Sequence, residues 1–487
     1  MPSRRQFLAA AASSVAAVAL DALPASPAEL TGPAERSGGR HAVGAASAER
    51  PPNIVLIAAD DLGYGEVGAY GQRLISTPRL DRLAAEGTRF TQAYSAAAVC
   101  APSRCSLLTG LHTGHAAVRE NPFNGGPQGS LGASDTTFAE LLRDQGYGTA
   151  CVGKWGFGPE DAEQPSHPNA RGFDEFFGYI EHRHAHDYFP DYLWHNGERQ
   201  DLDPGTYAID VFERRALGYI RERARAQRPF LLYLSPNTPH APSDIPATDA
   251  AAVEYADRPW SAADRGHAAQ VTRLDRLVGS VLDELRRRGI ERDTLVLVTS
   301  DNGPHEEGGT DPDVFDANGP LRGYKRNLYE GGVRVPLLAW RPGTVAAGEV
   351  SDRVTPLIDV LPTLAELAGL PVPSGVDGLS AAGLLDGSGG PAPEHREALY
   401  WYRNDPGSTR RANAEEGGRL DRLAEAVRRG DWKAVRYAPG RDRSAPDGDW
   451  QVELYDLAAD PGETTDVAAE HPALVAELTA AMRAAWT

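Results

Sequence analysis

The sequence has little cysteine, no excess of positive charge and no long apolar run. Three cysteines in 487 residues are too few, and odd in number, for a disulfide framework, so we expect Cys105 and Cys151 to be reduced packing residues. The formal net charge of -19 argues against nucleic acid or an anionic membrane surface as the main partner. It does not exclude an anionic substrate, because a few local cations and a metal outweigh a distant field.

The N-terminus has the pattern of an export signal. Arg4-Arg5 precedes an Ala-rich run from Ala9 to Leu20, which is too short to span a bilayer, and small residues follow it. The paired arginines are typical of a twin-arginine signal, with an ordinary Sec signal as the alternative. We therefore predict a signal peptide over residues 1–28, an exported protein without an integral membrane span, and a flexible linker over residues 29–51.

Two apolar runs far apart in the sequence predict the centre of an α/β domain. Ile54 to Ala59 and Thr294 to Ser300 have the length of buried parallel strands, and Pro229 to Leu234 is a third. Helical patterns between them, Thr137 to Gln145 and Arg265 to Arg288, end at glycines. We predict a large, mostly parallel central sheet flanked by helices over residues 52–390.

The last hundred residues have a different pattern. Short strand-like runs alternate with polar turns, and a final helix is predicted over Pro472 to Ala485. We therefore predict a C-terminal α+β subdomain over residues 391–487, with a small antiparallel sheet and one packed helix.

The string VCAPSRCSLLTG carries the most specific signal. Pro102 suits the first turn of a helix and Gly110 its end, so Ser103 to Thr109 should be helical, with Cys100 just outside the N-terminus. The helix dipole and Arg104 would favour an anion or a nucleophile there. For an isolated cysteine, a buried structural role is the alternative.

The pattern C-x-P-S-R followed by L-x-T-G resembles the signature of the sulfatases. The match is complete, with Cys100, Pro102, Ser103, Arg104, Leu108, Thr109 and Gly110. The resemblance implies an alkaline phosphatase-like fold from Asn53 almost to the end of the chain. It also implies that a formylglycine-generating enzyme converts Cys100 to formylglycine (3-oxoalanine).

The predicted strands at Ile54 and Thr294 end in Asp60-Asp61 and Asp301-Asn302. Strand ends of this kind meet at one edge of an open α/β sheet, and oxygen ligands select Ca²⁺ or Mg²⁺ rather than zinc. Each pair taken alone is as well explained by helix capping. The resemblance implies one Ca²⁺ ion, held by these four residues and by the modified Cys100, with Mg²⁺ as the less favoured ion.

The resemblance also assigns four cationic or polar groups to catalysis. Lys154, His240 and Lys325 would bind the sulfate oxygens and stabilise the leaving alkoxide, and Arg104 would orient the nucleophile. That nucleophile would be the formylglycine gem-diol, which attacks sulfur, forms a covalent sulfated enzyme and then expels sulfate through its second hydroxyl.

One position departs from the family pattern. Many sulfatases carry a histidine two residues after the lysine that matches Lys154, and here that position is Gly156. We expect His184 or His186, from the segment EHRHAHDYFPDYLW, to reach the pocket as base or substrate ligand, with His305 as a further substrate-binding candidate. The alternative is a partly exposed loop with structural histidines.

These features predict a sulfuric ester hydrolase that acts on an aryl, alkyl or carbohydrate sulfate. Two alternatives remain at this stage, namely a phosphodiesterase or phosphonate monoester hydrolase on the same scaffold, and a non-catalytic binding protein.

Overall fold

The computed structural model describes residues 50–122, 126–226, 228–388, 390, 394–395, 398–405 and 407–487. The signal peptide predicted over residues 1–28 lies outside these ranges, as does most of the linker predicted over residues 29–51. Within the described ranges, no helix has both the length and the apolar composition that crossing a membrane requires.

A large mixed sheet of ten strands forms the centre of the described residues. Its strands are β1 (Asn53–Ala59), β2 (Thr88–Tyr94), β3 (Gly148–Lys154), β4 (Glu175–Tyr179), β5 (Tyr192–His195), β6 (Glu198–Asp201), β7 (Phe230–Ser235), β8 (Thr294–Ser300), β9 (Arg334–Trp340) and β10 (Glu349–Pro356). The spatial order is β10-β2-β9-β8-β1-β7-β3-β4-β5-β6. The five strands from β8 to β4 are parallel, whereas β9, β5 and β6 each run antiparallel to their neighbours. The predicted, mostly parallel central sheet is thus confirmed.

Burial on both faces explains why the central strands have no polar alternation. In β1, Ile54, Leu56 and Ala58 pack into one hydrophobic cluster, and Val55, Ile57 and Ala59 into the other. Since successive side chains of a strand point to opposite faces, both faces must be covered by helices. A continuous apolar run is the sequence that this arrangement requires.

Helices cover both faces of the large sheet. The described residues form α1 (Pro78–Glu86), α2 (Cys100–Thr109), α3 (Phe138–Asp144), α4 (Ala208–Arg223), α5 (Ala250–Tyr255), α6 (Ala262–Arg288), α7 (Glu330–Val333), α8 (Val360–Leu367), α9 (Arg410–Glu415) and α10 (Pro472–Ala484). The core of one face includes α1, α4 and α6, and that of the other includes α2, α3 and α8. The prediction of α6 began three residues late, because Ser261 caps the helix by accepting a hydrogen bond from Asp264 N at 3.0 Å.

A small antiparallel sheet follows in the chain. Its strands are β11 (Leu399–Arg403), β12 (Ala424–Arg429), β13 (Trp432–Tyr437) and β14 (Gln451–Asp456), in that spatial order. One face packs on α10 through Leu478 and Met482, which confirms the predicted sheet with a packed helix. The described residues from Arg50 onward form one compact unit, and the division between residues 52–390 and 391–487 stays a prediction.

Three buried charges join the small sheet to the α/β part. The Nζ atom of Lys433, on β13, lies 2.9 Å from Glu330 Oε1 at the start of α7 and 3.0 Å from Glu463 Oε1 beyond β14. The side chains of all three residues are inaccessible to solvent. Because a buried charge without a partner is very costly, this triad fixes the two parts against each other.

Candidate active site

Four neighbouring parallel strands deliver polar side chains to the same edge of the sheet. β1 and β8 pair in register up to Ala59 and Ser300, so Asp60 and Asp301 leave the sheet side by side. On the other side of β1 lies β7, which leads to His240, and β3 beyond it ends at Lys154. The predicted site residues on these strands therefore lie together because of strand order, although they are far apart in sequence.

The acidic residues form one half of the cluster. Asp61 N donates to Asp301 Oδ1 at 3.0 Å, and Asn302 Nδ2 donates to Asp61 Oδ1 at 2.7 Å. Asp60, Asp61, Asp301 and Asn302 all have 1% exposure or less. Asp61 adopts a left-handed backbone with φ of 69°, which turns the chain sharply after β1.

Two oxygens of this cluster are buried without a hydrogen-bond partner. They are Asp60 Oδ1 and Asn302 Oδ1. A buried acceptor without a partner is destabilising, and hard oxygens of this kind are the ligands that Ca²⁺ and Mg²⁺ prefer. His240 Nε2 is also close, but it lies 3.0 Å from Lys325 Nζ. The donor set therefore fits a hard divalent cation.

Cationic side chains enclose the acids. Lys154 Nζ donates to Asp60 Oδ2 at 2.7 Å, and Lys325 Nζ donates to Asp61 Oδ2 at 2.8 Å. Arg104 Nε donates to Asp301 Oδ2 at 2.8 Å, and Arg104 Nη2 forms an ion pair with the same oxygen at 2.7 Å. Burial raises the pKa of Asp60, but Lys154 and the cations around it hold that pKa well below its usual range. Burial raises the pKa of Asp301 to about 7 despite the Arg104 guanidinium.

Cys100 is the first residue of α2, and the prediction that it lies just outside the helix is wrong. Val99 has extended backbone angles and caps the helix, which places Pro102 third. Pro102 is tolerated there, since N–H groups of the first turn have no acceptor within a helix. The Cys100 side chain is fully buried, and burial raises its thiol pKa to about 11. Cys105 and Cys151 are free and buried, which confirms the prediction that both are reduced.

Two side chains face the Cys100 sulfur. Asn121 Nδ2 lies 3.7 Å from Sγ, and Asn121 Oδ1 accepts from Ala101 N at 3.1 Å. His182 Nδ1 lies 3.6 Å from Sγ, and its backbone N–H donates to Gln128 Oε1 at 2.8 Å. Burial, with Lys154 and neighbouring histidines, lowers the pKa of His182 well below its usual value, so the imidazole is neutral.

Gly156 leaves open space where many sulfatases have a histidine. A Cβ atom built there meets no atom within 4 Å, and its φ of 93° lies in the region that favours glycine. Its N–H donates to Ile180 O at 3.1 Å, two residues before His182. The imidazole beside Cys100 therefore comes from the end of β4 and not from the end of β3.

The histidines predicted to reach the pocket have different positions. His186 stacks on His240 with ring centroids 4.3 Å apart, which brings it to the edge of the cluster. His184 Nδ1 instead lies 3.4 Å from Glu160 Oε1, and its ring packs on Tyr179 and Tyr192. The two differ because a short 3-10 turn over His184–His186 points alternate side chains in different directions.

His305 packs beside His240, and its ring nitrogens contact backbone atoms of the protein. Its Nε2 atom is 3.0 Å from Pro239 O, its Nδ1 atom accepts from Glu307 N at 3.0 Å, and its ring is 5.9 Å from that of His240. With both ring nitrogens engaged by the protein, His305 supports the His240 loop.

The sequence predicts no role for Asn121, Glu307 or His182, and the roles predicted for His184 and His186 stay predictions. Glu307 Oε2 accepts from Lys325 Nζ at 2.9 Å. Burial raises the pKa of Glu307, but Lys325 and Arg326 hold that pKa well below its usual value. A signal for Glu307 existed, because it lies six residues after Asp301 in the same strand-end loop. Asn121 follows no strand and had no comparable signal.

Comparisons with known proteins agree with this geometry. The family model described as Sulfatase matches residues 52–370, and the model described as N-sulphoglucosamine sulphohydrolase, C-terminal, matches residues 323–485. Arylsulfatase A of Homo sapiens is 34% identical over 458 residues, covering 85% of this chain and 83% of the relative. N-acetylgalactosamine-6-sulfatase of Canis lupus familiaris is 35% identical over 390 residues, covering 74% and 70%.

A solved structure shares the whole architecture. Ps i-CgsB in complex with k-i-k-neocarrahexaose superposes with a TM-score of 0.75 at 29% identity, covering 90% of this chain and 93% of that one. Every side chain of the cluster falls inside the span matched by the sulfatase model. The chain therefore belongs to the sulfatase family, and it is an enzyme that hydrolyses sulfate esters.

Proposed function

We propose that this protein is an exported, calcium-dependent sulfatase that uses a modified Cys100 to cleave a small-molecule or carbohydrate sulfate ester. The observation that carries this proposal is the position of Cys100, which is fully buried at the start of α2. It lies close enough to Lys154, Lys325, Asp60 and Asp301 for their charges to act on its side chain. The names of the relatives, an arylsulfatase and an N-acetylgalactosamine-6-sulfatase, support a sulfate ester as the substrate.

The thiol itself is unsuited to the reaction. With a pKa raised to about 11 by burial, Cys100 is protonated at neutral pH, and a protonated thiol is a poor nucleophile. Conversion of Cys100 to formylglycine by a formylglycine-generating enzyme would supply a hydrated aldehyde, in which one hydroxyl attacks sulfur and the second allows sulfate to leave. The first turn of α2 directs its free N–H groups toward the same point.

Asp60, Asp61, Asp301 and Asn302 would hold the calcium ion. The two orphaned oxygens, Asp60 Oδ1 and Asn302 Oδ1, support this assignment, since a cation would satisfy both. A bound ion would add positive charge beside the sulfate and favour an oxygen nucleophile over the unmodified sulfur, because hard cations prefer oxygen.

The cations have separate roles in the proposal. Lys154, bonded to Asp60, and Lys325, bonded to Asp61, would bind sulfate oxygens. His240, whose Nε2 atom lies 3.0 Å from Lys325 Nζ, would contact the leaving oxygen. Arg104, held by Asp301 and by the Lys154 carbonyl, would orient residue 100. Fixed charges in a site that excludes water stabilise developing negative charge at little reorganisation cost.

His182 would take the role of the histidine that the family pattern has at position 156, where this chain has glycine. Its neutral imidazole lies 3.6 Å from Cys100 Sγ and would accept the proton whose loss frees the sulfate. This role replaces the one first assigned to His184 or His186, and it leaves His186 as a side chain that positions His240 by ring stacking.

The activity of the matured protein on paired substrates tests the proposal. Protein produced together with a formylglycine-generating enzyme should release sulfate from 4-nitrophenyl sulfate faster than it cleaves bis(4-nitrophenyl) phosphate. A faster rate on the phosphodiester would establish the alternative hydrolase, and no turnover of aryl or carbohydrate sulfates by protein that contains formylglycine would contradict the proposed nucleophile.

A further inference from the structure

The ammonium group of Lys325 is held by three protein groups. Its Nζ atom donates to Asp61 Oδ2 at 2.8 Å and to Glu307 Oε2 at 2.9 Å, and it lies 3.0 Å from His240 Nε2. An ammonium group has three N–H donors, so these contacts account for its whole capacity. Asp61 and His240 have roles in the chemistry proposed above. Glu307 has none, although it contacts the same cation at the same distance.

The Glu307 carboxylate binds two consecutive cations with its two oxygens. Oε2 contacts Lys325, and Oε1 forms an ion pair with Arg326 Nη1 at 2.5 Å. Arg326 has a φ of 83°, in the left-handed region that a residue with a long side chain rarely adopts. A conformation of this kind persists only where surrounding contacts enforce it.

Contacts with two other parts of the chain hold Arg326 in that conformation. Its N–H donates to Ala98 O at 2.8 Å, just before α2, and its carbonyl oxygen accepts from Arg403 Nη1 at 2.9 Å, at the end of β11. Its guanidinium also pairs with Asp405, whose Oδ1 atom lies 3.6 Å from Nε. The Arg326 side chain is 12% exposed, so water screens its ion pairs only weakly. Arg326 is therefore a fixed partner for Glu307.

The loop that carries Glu307 is itself anchored. Glu307 N donates to His305 Nδ1 at 3.0 Å, and the neighbouring Glu306 accepts hydrogen bonds from backbone N–H groups at the start of α9. Pro304 O accepts from Lys325 N at 2.8 Å. The backbone and the ammonium group of Lys325 are therefore both bonded to this one loop.

We propose that Glu307 is a positioning residue, which fixes the Lys325 ammonium beside His240 so that the pair faces the oxygen of the leaving group. The inference rests on the proposed function and adds to it the residue that directs Lys325. Because Asp61 and Glu307 both hold the ammonium group, its charge is in place before the bond from sulfur to the leaving oxygen breaks. Charge that is positioned in advance stabilises the negative charge that develops on that oxygen.

The test compares two esters with different leaving groups, using protein that contains formylglycine. Phenolate concentrates its negative charge on the oxygen, whereas 4-nitrophenolate spreads the charge onto the nitro group and needs less stabilisation. Glu307→Gln should lose about tenfold or more in kcat/KM on phenyl sulfate, because a hydrogen bond between charged groups contributes about that factor. On 4-nitrophenyl sulfate the loss should be about threefold or less.

Glu306→Gln is the matched control, because Glu306 is the adjacent carboxylate and contacts α9 instead of Lys325. It should change both rates by less than about twofold. In a Lys325→Ala background, Glu307→Gln should add less than about twofold on either ester, since a residue that acts through Lys325 has no effect without it.

Equal losses on both esters, no loss on either, or a faster reaction would overturn the role of Glu307. Where Glu307→Gln lowers the midpoint temperature of thermal unfolding, Arg326→Lys gives the same comparison. It keeps every charge, but a lysine cannot pair with Glu307 and Asp405 as the guanidinium does. It should also slow phenyl sulfate more than 4-nitrophenyl sulfate, and a uniform loss would overturn the proposal. A wild type that releases no sulfate from aryl or carbohydrate sulfates would instead contradict the sulfatase chemistry itself.

Discussion

The Nδ1 atom of His182 lies 3.6 Å from the Sγ atom of Cys100. This contact pairs the loop that follows β4 with the first turn of α2. A histidine supplied by a neighbouring strand can therefore serve a position that the family pattern places two residues after the lysine. Position in space, and not position in the motif, is the property that the chemistry needs.

Replacing His182 tests that role directly. We expect His182→Ala to slow turnover by about 10²-fold or more, since a positioned base typically contributes about 10²–10⁴-fold. The slow step should be sulfate release, so mass spectrometry of intact protein quenched during turnover should detect a chain that carries a sulfate group. His184→Ala is the matched control, because His184 lies against Glu160. Equal behaviour of the two variants would contradict the assignment to His182.

Conversion of Cys100 is the second prediction. The peptide containing residues 100–104 from active protein should have the mass of formylglycine in place of cysteine. Cys100→Ala should abolish turnover. Because the substitution removes only one buried atom, the free energy of unfolding should stay within about 1 kcal/mol of the wild type. Full activity in protein whose peptide carries only unmodified cysteine would disprove the proposed nucleophile.

Calcium should stabilise the folded protein through the orphaned oxygens. An ion that binds only the folded state adds about 2.7 kcal/mol to the free energy of unfolding at a hundredfold excess over its Kd. We expect the midpoint temperature of thermal unfolding of the chelated wild type to rise when Ca²⁺ is added. Asn302→Ala should lose most of that increase. Asp257→Asn, at an exposed position, is the control. A calcium response that survives in Asn302→Ala would remove this residue from the ligand set.

The buried triad predicts a pH dependence of stability. Burial, and the neighbouring Glu330, raise the pKa of Glu463 from 4.5 to about 7. Between these values the folded chain holds a proton that the unfolded chain has released, so the free energy of unfolding falls as pH rises from about 4.5 to 7. The slope of this contribution is at most about 1.4 kcal/mol per pH unit. Glu463→Gln should flatten the decline in denaturant titrations across this range. An unchanged slope would contradict the assignment.

The sequence was most informative where strand ends carry function. The apolar runs ending at Asp60 and Asp301 predicted both the sheet and the convergence of these acids, because parallel strands share one carboxyl edge. Asn121 and Glu307 escaped prediction since loops place them, and loop geometry depends on tertiary contacts that no local pattern encodes. His182 lies in the same segment as His184, and its position beside Cys100 depends on the direction of the turn that follows β4.

The edge strands were also beyond the sequence patterns. β5 and β6 lie in a segment that gave no strand signal, because β6 is exposed along its whole length and carries polar side chains. β12 has no strand pattern for a related reason, since the run AEAVRR buries Glu425 and Arg428 through ion pairs and hydrogen bonds. When charged residues are buried, the sequence of a strand lacks the alternation of apolar and polar residues on which strand prediction depends.

The triad of Lys433, Glu330 and Glu463 has a consequence for how the molecule unfolds. Detaching the small sheet from the α/β part would strip two carboxylates of their shared cation and expose the core around Tyr329 and Trp401. Separating the small sheet from the α/β part therefore costs more free energy than the buried area between them alone predicts. Calorimetry should record a single cooperative unfolding transition for residues 50–487. A chain cut near residue 390 would not leave an independently folding catalytic half.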